Sequence, residues 1–149
     1  MIYRLIYRSR FRPETGGVSG VLHDLLTVSQ RNNARDGITG YLLFDRTHFV
    51  QILEGGAAAV EQTFGRIAGD RRHHEIAVLV RRQTEARAFP DWSMGGFMKS
   101  PESEYLYERH GCGRPGGGSE AAPETWVALA RDIAAHDVAR HGHRGLSGS

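Results

Sequence analysis

The sequence contains one cysteine and no long apolar run, and each shortage excludes a class of protein. Cys112 has no second cysteine to pair with and belongs to no zinc-binding pattern, which favours a reducing compartment. No apolar run approaches the roughly 20 residues of a membrane span, and the first residues lack the apolar centre of a signal peptide. We therefore predict a cytoplasmic protein with no membrane partner.

An excess of either charge is also lacking. The 149 residues include 19 basic and 17 acidic side chains, and the net charge of +2 is too balanced to indicate nucleic acid as a partner. Three histidines near the C-terminus form no metal motif, because no cysteine or carboxylate cluster completes a site. These histidines are His136, His141 and His143. Neither nucleic acid nor a metal is expected.

The chain divides near residue 98, where dense apolar periodicity gives way to a glycine-rich sequence. Residues 1–98 are predicted to form one domain, and residues 99–149 a C-terminal extension. The extension is predicted to contain a Gly-rich loop at 112–119, a helix at about 123–141 and a disordered tail.

Within the domain, apolar patterning predicts five strands and two helices in the order βαββαββ. The strands are predicted at 2–9, 38–45, 48–54, 75–82 and 92–98, and the helices at 20–33 and 57–69. This order is that of a ferredoxin-like sandwich, an α+β fold in which a mixed five-stranded sheet carries both helices on one face. In such a sheet we expect the first and third strands to be adjacent, central and parallel.

The third predicted strand, HFVQILEG, carries a glutamine where an apolar residue is expected. Strand alternation places Gln51 between Phe49 and Leu53 on one face. A buried amide without partners costs roughly 1–3 kcal/mol, so the fold must supply one. Tyr7 on the first strand is the candidate partner, because a buried phenol also needs a hydrogen bond.

Further polar residues converge at the end of the first predicted helix, where Ser29, Asn32 and Asn33 lie. Leu25 and Ile67, from the two helices, are placed above and below a flat ring. The sequence therefore predicts a pocket for a planar ligand with apolar faces and a polar edge.

Five segments resemble, in order and spacing, the BLUF family of blue-light sensors that use flavin. They are LIYRS, SQRNNARDGITGYLLFD, FVQILEG, IAGDRRH and FPDWSMG, and the resemblance covers about residues 1–98. It implies a flavin cofactor, with FAD expected and FMN as the alternative. The chain resembles the short, single-domain members, which implies signalling through a partner protein and no enzyme activity.

The resemblance also implies roles for individual residues. Tyr7 and Gln51 correspond to the photoactive pair, and Trp92 and Met94 to a switchable pair on the fifth strand. Asn33 matches the amide that holds the pyrimidine edge of the isoalloxazine. The other residues expected to contact the flavin are Leu25, Ser29, Asn32, Gln51, Arg66, Ile67, Asp70, Arg72 and His73.

The residue types are consistent with these roles. Flavin excited by blue light is a strong oxidant, and the phenol of Tyr7 can donate an electron and then a proton. Gln51 carries two donors and an acceptor, so it can bridge Tyr7 to flavin N5 and O4 in more than one arrangement. Its rearrangement, by rotation, tautomerism or both, is expected to shift the absorption to the red and to pass strain to the fifth strand.

Other interpretations stay open on the residues alone. Arg8 and Asn33 around an anion fit an acylphosphatase-like hydrolase, although the Gly-rich segment TGGVSG lies late for an anion-binding loop. A flavin-binding or ligand-binding module without photoactivity is a further alternative. Taken singly, Tyr7 fits an ordinary core residue, and Asn33 the end of a helix.

The opposite face of the predicted sheet is aliphatic, which argues against base stacking by RNA. It carries Ile2, Arg4, Ile6, Val50 and Ile52. Such a face must be covered, so residues 100–110 and the 123–141 helix are predicted to pack on it or to form a homo-oligomer interface. The sequence contains no recognisable cyclase, phosphodiesterase or helix-turn-helix segment, so a downstream signalling protein is the expected partner.

Overall fold

The computed structural model describes residues 1–112 and 122–141. The predicted Gly-rich loop, apart from Cys112, and the predicted disordered tail lie outside these residues. The strands are β1 (Ile2–Phe11), β2 (Thr39–Phe44), β3 (His48–Gly55), β4 (His73–Thr84) and β5 (Gly95–Met98). The helices are α1 (Val18–Asp36), α2 (Ala57–Ala68), α3 (Glu104–Arg109) and α4 (Pro123–His141). The predicted order βαββαββ and the helix near the C-terminus are both confirmed.

Local hydrogen bonds end α1 and stabilise the turn between β2 and β3. Gly37 adopts a left-handed conformation, with φ of 71°, and its N–H donates to the carbonyl of Asn33, which caps the helix. In the hairpin, the Asp45 carboxylate accepts hydrogen bonds from the backbone N–H groups of Thr47 and His48. These two turns bring the end of α1 and the β2–β3 hairpin into fixed positions beside the sheet.

The sheet has the strand order β4-β1-β3-β2-β5, so β1 and β3 are adjacent and central as predicted. The predicted parallel direction is wrong, because β1 runs antiparallel to β3. The crossover through α1 places β2 parallel to β1 but one strand away, and the tight hairpin then returns β3 in the opposite direction into the gap. The mixed character of the sheet comes from β5, which is parallel to β2.

The fifth strand begins at Gly95 and not at residue 92 as predicted. Two carbonyls just before it accept hydrogen bonds from side chains of α1: Gln30 donates to Met94 O, and Asn33 donates to Ser93 O. Because these carbonyls are bound to helix side chains, the chain at 92–94 does not follow a regular strand ladder.

Each side of the sheet carries its own buried cluster. On the side of α1 and α2, which we call the helix face, Leu5, Tyr7, Leu53 and Met94 pack together. On the other side, which we call the extension face, Ile6, Val50 and Ile52 share a cluster with residues of α3 and α4. The extension residues in that cluster are Leu106, Tyr107, Cys112, Trp126, Val127, Leu129, Ala130, Ile133 and Ala134. The predicted packing of the extension on the aliphatic face is therefore confirmed.

Candidate functional site

A pocket opens between α1 and α2 on the helix face. Its empty space, with the open mouth and adjoining solvent included, is about 790 Å³. Tyr7 and all of the predicted flavin contacts line it: Leu25, Ser29, Asn32, Asn33, Gln51, Arg66, Ile67, Asp70, Arg72 and His73. Residues that are distant in sequence therefore meet around one cavity.

Tyr7 and Gln51 form the floor of this pocket. They are directly opposite one another in the β1–β3 ladder, and their exposed fractions are 2% and 3%. The Tyr7 hydroxyl donates a hydrogen bond to Gln51 Oε1 over 2.5 Å. Burial, and secondarily the charge of Asp70, raises the pKa of Tyr7 well above its ordinary value, so the phenol keeps its proton. The amide in HFVQILEG thus has the partner that the sequence required.

The other end of the Gln51 amide is held weakly. Its Nε2 lies 3.5 Å from the Sδ atom of Met94, a fully buried residue. A thioether sulfur is a weak acceptor, so a stronger acceptor entering the pocket would compete for this N–H group. Gln51 therefore has a strong partner in Tyr7 and a replaceable one in Met94.

Helical spacing aligns the contribution of α1. Leu25, Ser29, Asn32 and Asn33 stand at positions i, i+4, i+7 and i+8, which share one face of a helix. Asn33 is buried and donates to Ser93 O over 3.0 Å, whereas Ser29 and Asn32 are half-buried. Ile67 lines the pocket from α2, so aliphatic side chains from two helices flank the space.

The charged residues of the pocket come from α2 and the turn after it. Arg72 forms a 2.6 Å ion pair with Asp70, and its hydrogen bonds hold the pKa of the Asp70 carboxyl below its usual range. Arg66 reaches Thr63 and, over 3.5 Å, Asp36. Guanidinium groups at a pocket edge suit phosphate or another anion because their donors are planar and permanently charged.

His73 closes the inner wall of the pocket between two partners. Its Nε2 lies 2.7 Å from the carbonyl oxygen of Ile67, which can only accept, so Nε2 carries the proton in this hydrogen bond. Its Nδ1 is hydrogen-bonded to Ser9 Oγ over 2.6 Å. The imidazole is therefore fixed in orientation by β1 and α2.

Four lining residues were not predicted as ligand contacts: Val28, Leu42, Phe49 and Thr63. The sequence held a signal for two of them, because Phe49 alternates with Gln51 on β3 and Leu42 is the β2 neighbour of Gln51 in the ladder. Val28, which is 51% exposed, lies at the rim of the pocket.

Trp92 and Met94 do not share a location. Met94 contacts Gln51, but Trp92 belongs to the extension-face cluster, where its ring centroid lies 5.5 Å from that of Tyr41. Neither lines the pocket. Residues two apart share a face only in a regular strand, and these two precede β5. The expectation that both lie on the fifth strand is therefore wrong.

Arg8 and Asn33 do not form the arrangement that the hydrolase interpretation requires. Tyr7 faces the pocket, and Arg8, next along β1, alternates to the extension face, while Asn33 lines the pocket. Among the described residues, no group of three His, Cys, Asp or Glu side chains is arranged to hold a metal. Within the same residues, no helix is both long and apolar enough to cross a membrane.

The fold and site define a small α+β domain whose pocket, between two helices, has a hydrogen-bonded tyrosine and glutamine at its floor. The chain belongs to the BLUF family, the sensors of blue light using FAD, because the family model matches residues 2–95. It is thus a member of a blue-light sensor family.

Curated relatives match over the same domain. The chain is 34% identical over 89 residues to the blue light- and temperature-regulated antirepressor BluF of Escherichia coli (strain K12), covering 60% of this chain and 22% of that protein. It is 29% identical over 91 residues to photoactivated adenylate cyclase subunit alpha of Euglena gracilis, covering 61% of this chain and 9% of that protein. The chain thus spans less than a quarter of these relatives.

Two solved structures match over most of the chain. BlsA in its photo-activated state has a TM-score of 0.78 and 26% identity, covering 89% of this chain and 94% of BlsA. The dark state of the BLUF protein BlrB has a TM-score of 0.69 and 35% identity, covering 85% of this chain and 96% of BlrB. The similarity to BlsA therefore extends beyond the family domain into the C-terminal extension.

Proposed function

We propose that this chain senses blue light through a flavin held between α1 and α2, with Tyr7 and Gln51 as the photoactive pair. The observation that carries the proposal is the buried hydrogen bond of 2.5 Å between these two side chains at the floor of the pocket. FAD is the flavin named for the family, and FMN is the alternative.

The residues present fit such a cofactor. Leu25 and Ile67 would cover the two faces of the ring, and Ser29, Asn32 and Asn33 would meet its polar edge. The charged residues at the other side of the pocket would hold the ribityl and phosphate groups: Arg66, Asp70, Arg72 and His73. The replaceable contact between Gln51 and Met94 leaves an amide N–H group available to the ligand.

When bound, a flavin supplies a light-driven oxidant. Tyr7 is placed to give up an electron, and its hydroxyl proton already points to Gln51 Oε1. The Gln51 amide carries two donors and an acceptor, so with a flavin bound it can be held in more than one arrangement and serve as the bistable element. Met94, the residue just before β5, contacts Gln51, so a change in the Gln51 amide would reach this segment through Met94.

We further propose that the chain signals to a downstream protein and has no catalytic activity of its own. The segment leading into β5 touches both faces of the sheet, because Met94 packs on the helix face while Trp92 and Phe97 pack on the extension face. The related antirepressor and cyclases, by their names, couple light to an effector. A homo-oligomer and a cytoplasmic location stay predictions from the sequence.

An absorption spectrum of the purified chain, before and after blue light and through dark recovery, tests the proposal. Structured flavin bands that shift to the red and then relax are the expected result. Bound flavin without a light-induced shift would support the pocket as the flavin site but contradict the photoactive role of Tyr7 and Gln51. A protein that binds no flavin after reconstitution would contradict the whole proposal and favour a binding module for another ligand.

A further inference from the structure

The connection between β4 and β5 is tied to β3 close to the photoactive glutamine. Glu54 follows Gln51 by three residues on β3 and projects from the opposite face. It is fully buried, and its carboxylate accepts hydrogen bonds from the backbone N–H groups of Ala88, over 2.9 Å, and Phe89, over 3.0 Å. One side chain of β3 thus holds two consecutive backbone groups of the connection.

Arg4 completes the surroundings of this carboxylate. It is the direct cross-strand neighbour of Glu54 on β1, and its Nε and one terminal nitrogen lie 2.9 and 2.7 Å from Glu54 Oε2. Both side chains are buried. A buried carboxylate needs such donors to offset its lost hydration, so the geometry of the connection is fixed together with that of the ion pair.

Arg87, the residue before Ala88, holds the connection through its own side chain. One terminal nitrogen donates to Glu54 O over 3.0 Å and to Thr39 Oγ1 over 2.8 Å, and the other donates to Gly37 O over 2.9 Å. The connection is therefore fastened at residues 87–89 by contacts with β2, β3 and the end of α1.

The far end of the connection contacts Gln51 through Met94. Trp92 O accepts from Gly40 N over 3.0 Å, and Met94 O accepts from Gln30 over 2.9 Å. A Cβ atom on Gly40 would lie 1.9 Å from Ile52 O, so only glycine permits this close approach. Four residues lie between Phe89 and Met94, whose sulfur contacts Gln51. The position of Met94 thus depends on an anchor at each end.

We propose that Glu54 is a positioning residue for light sensing: by anchoring Ala88 and Phe89 it sets the place of Met94 against the Gln51 amide. This inference rests on the proposed function of Tyr7 and Gln51. Glu54 touches neither the pocket nor the photoactive pair, so it acts through the connection. Loosening the anchor gives Met94 more freedom and lowers the barrier between the two arrangements of Gln51.

The test compares two loosening variants with a control in the full chain reconstituted with FAD. Glu54→Gln removes the negative charge, which weakens the bonds from Ala88 and Phe89, and leaves the guanidinium of Arg4 buried without its counter-charge, at a cost in stability. Arg87→Ala releases the residue next to the anchor and keeps the buried pair. The control is Arg82→Ala, which removes a neighbouring arginine whose 2.6 Å ion pair with Glu124 lies outside the connection.

Two readouts are needed: hydrogen exchange of residues 85–94, and the rate of dark recovery after blue light. We expect exchange of this segment to accelerate about tenfold in a loosening variant. We expect dark recovery to accelerate about fivefold, as for the loss of one net hydrogen bond at a barrier. Arg82→Ala is expected to stay within about twofold of the unmodified chain in both measurements.

The outcomes separate this inference from the proposed function. Unchanged exchange in a folded variant would show that the anchor does not hold the segment. Faster exchange with unchanged recovery would make the role of Glu54 structural only, and the inference would be overturned while light sensing stands. If the unmodified chain shows no light-induced shift, the proposed function fails first, and exchange alone still decides whether Glu54 anchors the connection.

Discussion

Both faces of the sheet bury tyrosines, and Tyr7 on one face and Tyr107 on the other have different surroundings. Tyr7 on the helix face and Tyr107 on the extension face are 2% and 3% exposed, and burial raises the pKa of both above the ordinary value. Tyr7 donates to Gln51. The Tyr107 hydroxyl has no hydrogen-bond partner among the described residues. Burial alone therefore does not distinguish Tyr7 from Tyr107, whereas the amide partner of Tyr7 does.

The faces also differ in how their space is filled. The helix face keeps an open pocket lined by amides, charged groups and aliphatic side chains. The extension face is closed by large side chains of α3 and α4, among them Trp126 and Leu129. Because successive side chains of β3 point to opposite faces, neighbouring residues of this strand lie in different surroundings. A substitution of a pocket residue should change light sensing, and one of an apolar residue on the extension face should mainly change stability.

Adjacent residues of β3 give the sharpest test of this division. Gln51→Leu removes the amide from the helix face and should abolish the light-induced red shift while the flavin stays bound; Tyr7→Phe should do the same. Ile52→Val, one residue along, should lower the free energy of unfolding by about 0.5–1.5 kcal/mol and keep the shift. Absorption spectroscopy and denaturant unfolding measure both. A light-induced red shift of full size in Gln51→Leu would contradict the assignment of light sensing to the helix face.

Removal of the extension tests the same division on a larger scale. Deleting residues 101–149 uncovers Ile6, Val50 and Ile52, so we expect aggregation or a changed oligomeric state. Flavin binding should persist, because the pocket is lined from β1 to β4 only. Size-exclusion chromatography with detection at the flavin bands measures both properties. A truncated chain with unchanged size and solubility would contradict a covering role for α3 and α4.

Two leucine truncations should have opposite consequences. Leu129→Ala, at a fully buried position of α4, should lower the free energy of unfolding by about 2–5 kcal/mol and leave flavin affinity unchanged. Leu25→Ala, at a half-buried position of the pocket, should weaken flavin binding about tenfold with a smaller effect on stability. Urea unfolding of each variant, together with flavin titration, would show whether the effects separate as expected.

The smallest effect is expected at the contact between α3 and α4. Asp132 accepts hydrogen bonds from His110 over 2.9 Å and Arg109 over 3.1 Å. The contact with His110 in particular holds the pKa of the Asp132 carboxyl below 3.8. A lowered folded-state pKa stabilises the fold above pH 3.8, and this contribution is lost as the pH falls through the folded value.

Asp132→Asn should therefore lower the free energy of unfolding by about 0.5–1 kcal/mol at pH 7, and the difference should shrink in acid. Chemical unfolding at a series of pH values gives the comparison. Glu108→Gln, at an exposed position of α3, is the control and should show no such dependence. A difference for Asp132→Asn that stays constant into acid would exclude its charge as the cause.

Much of the fold was predictable because its signals are local. Period-2 alternation in HFVQILEG assigned Gln51 to one face and Val50 and Ile52 to the other, and both assignments hold in the structure. The aliphatic face required a cover, and the extension supplies it. The direction of β1 against β3 was wrong, because it depends on which gap the hairpin fills and not on the pattern within either strand.

The candidate site was predictable where spacing carries the signal. Leu25, Ser29, Asn32 and Asn33 share a face by helical periodicity, and the structure brings them to the pocket together with the charged turn after α2. The locations of Trp92 and Met94 were not predictable in this way. They lie in an irregular segment whose course is set by side chains of α1, so no periodicity relates them.

By itself the sequence determined the order of elements, the two faces of each strand, and the family to which residues 2–95 belong. These follow from short-range alternation, spacing and motifs. Only the tertiary structure decided that β1 opposes β3 in direction, that Met94 meets Gln51 while Trp92 does not, and that Glu54 anchors the connection before β5. Each of these depends on contacts between residues far apart in the chain, which packing selects and no local pattern encodes.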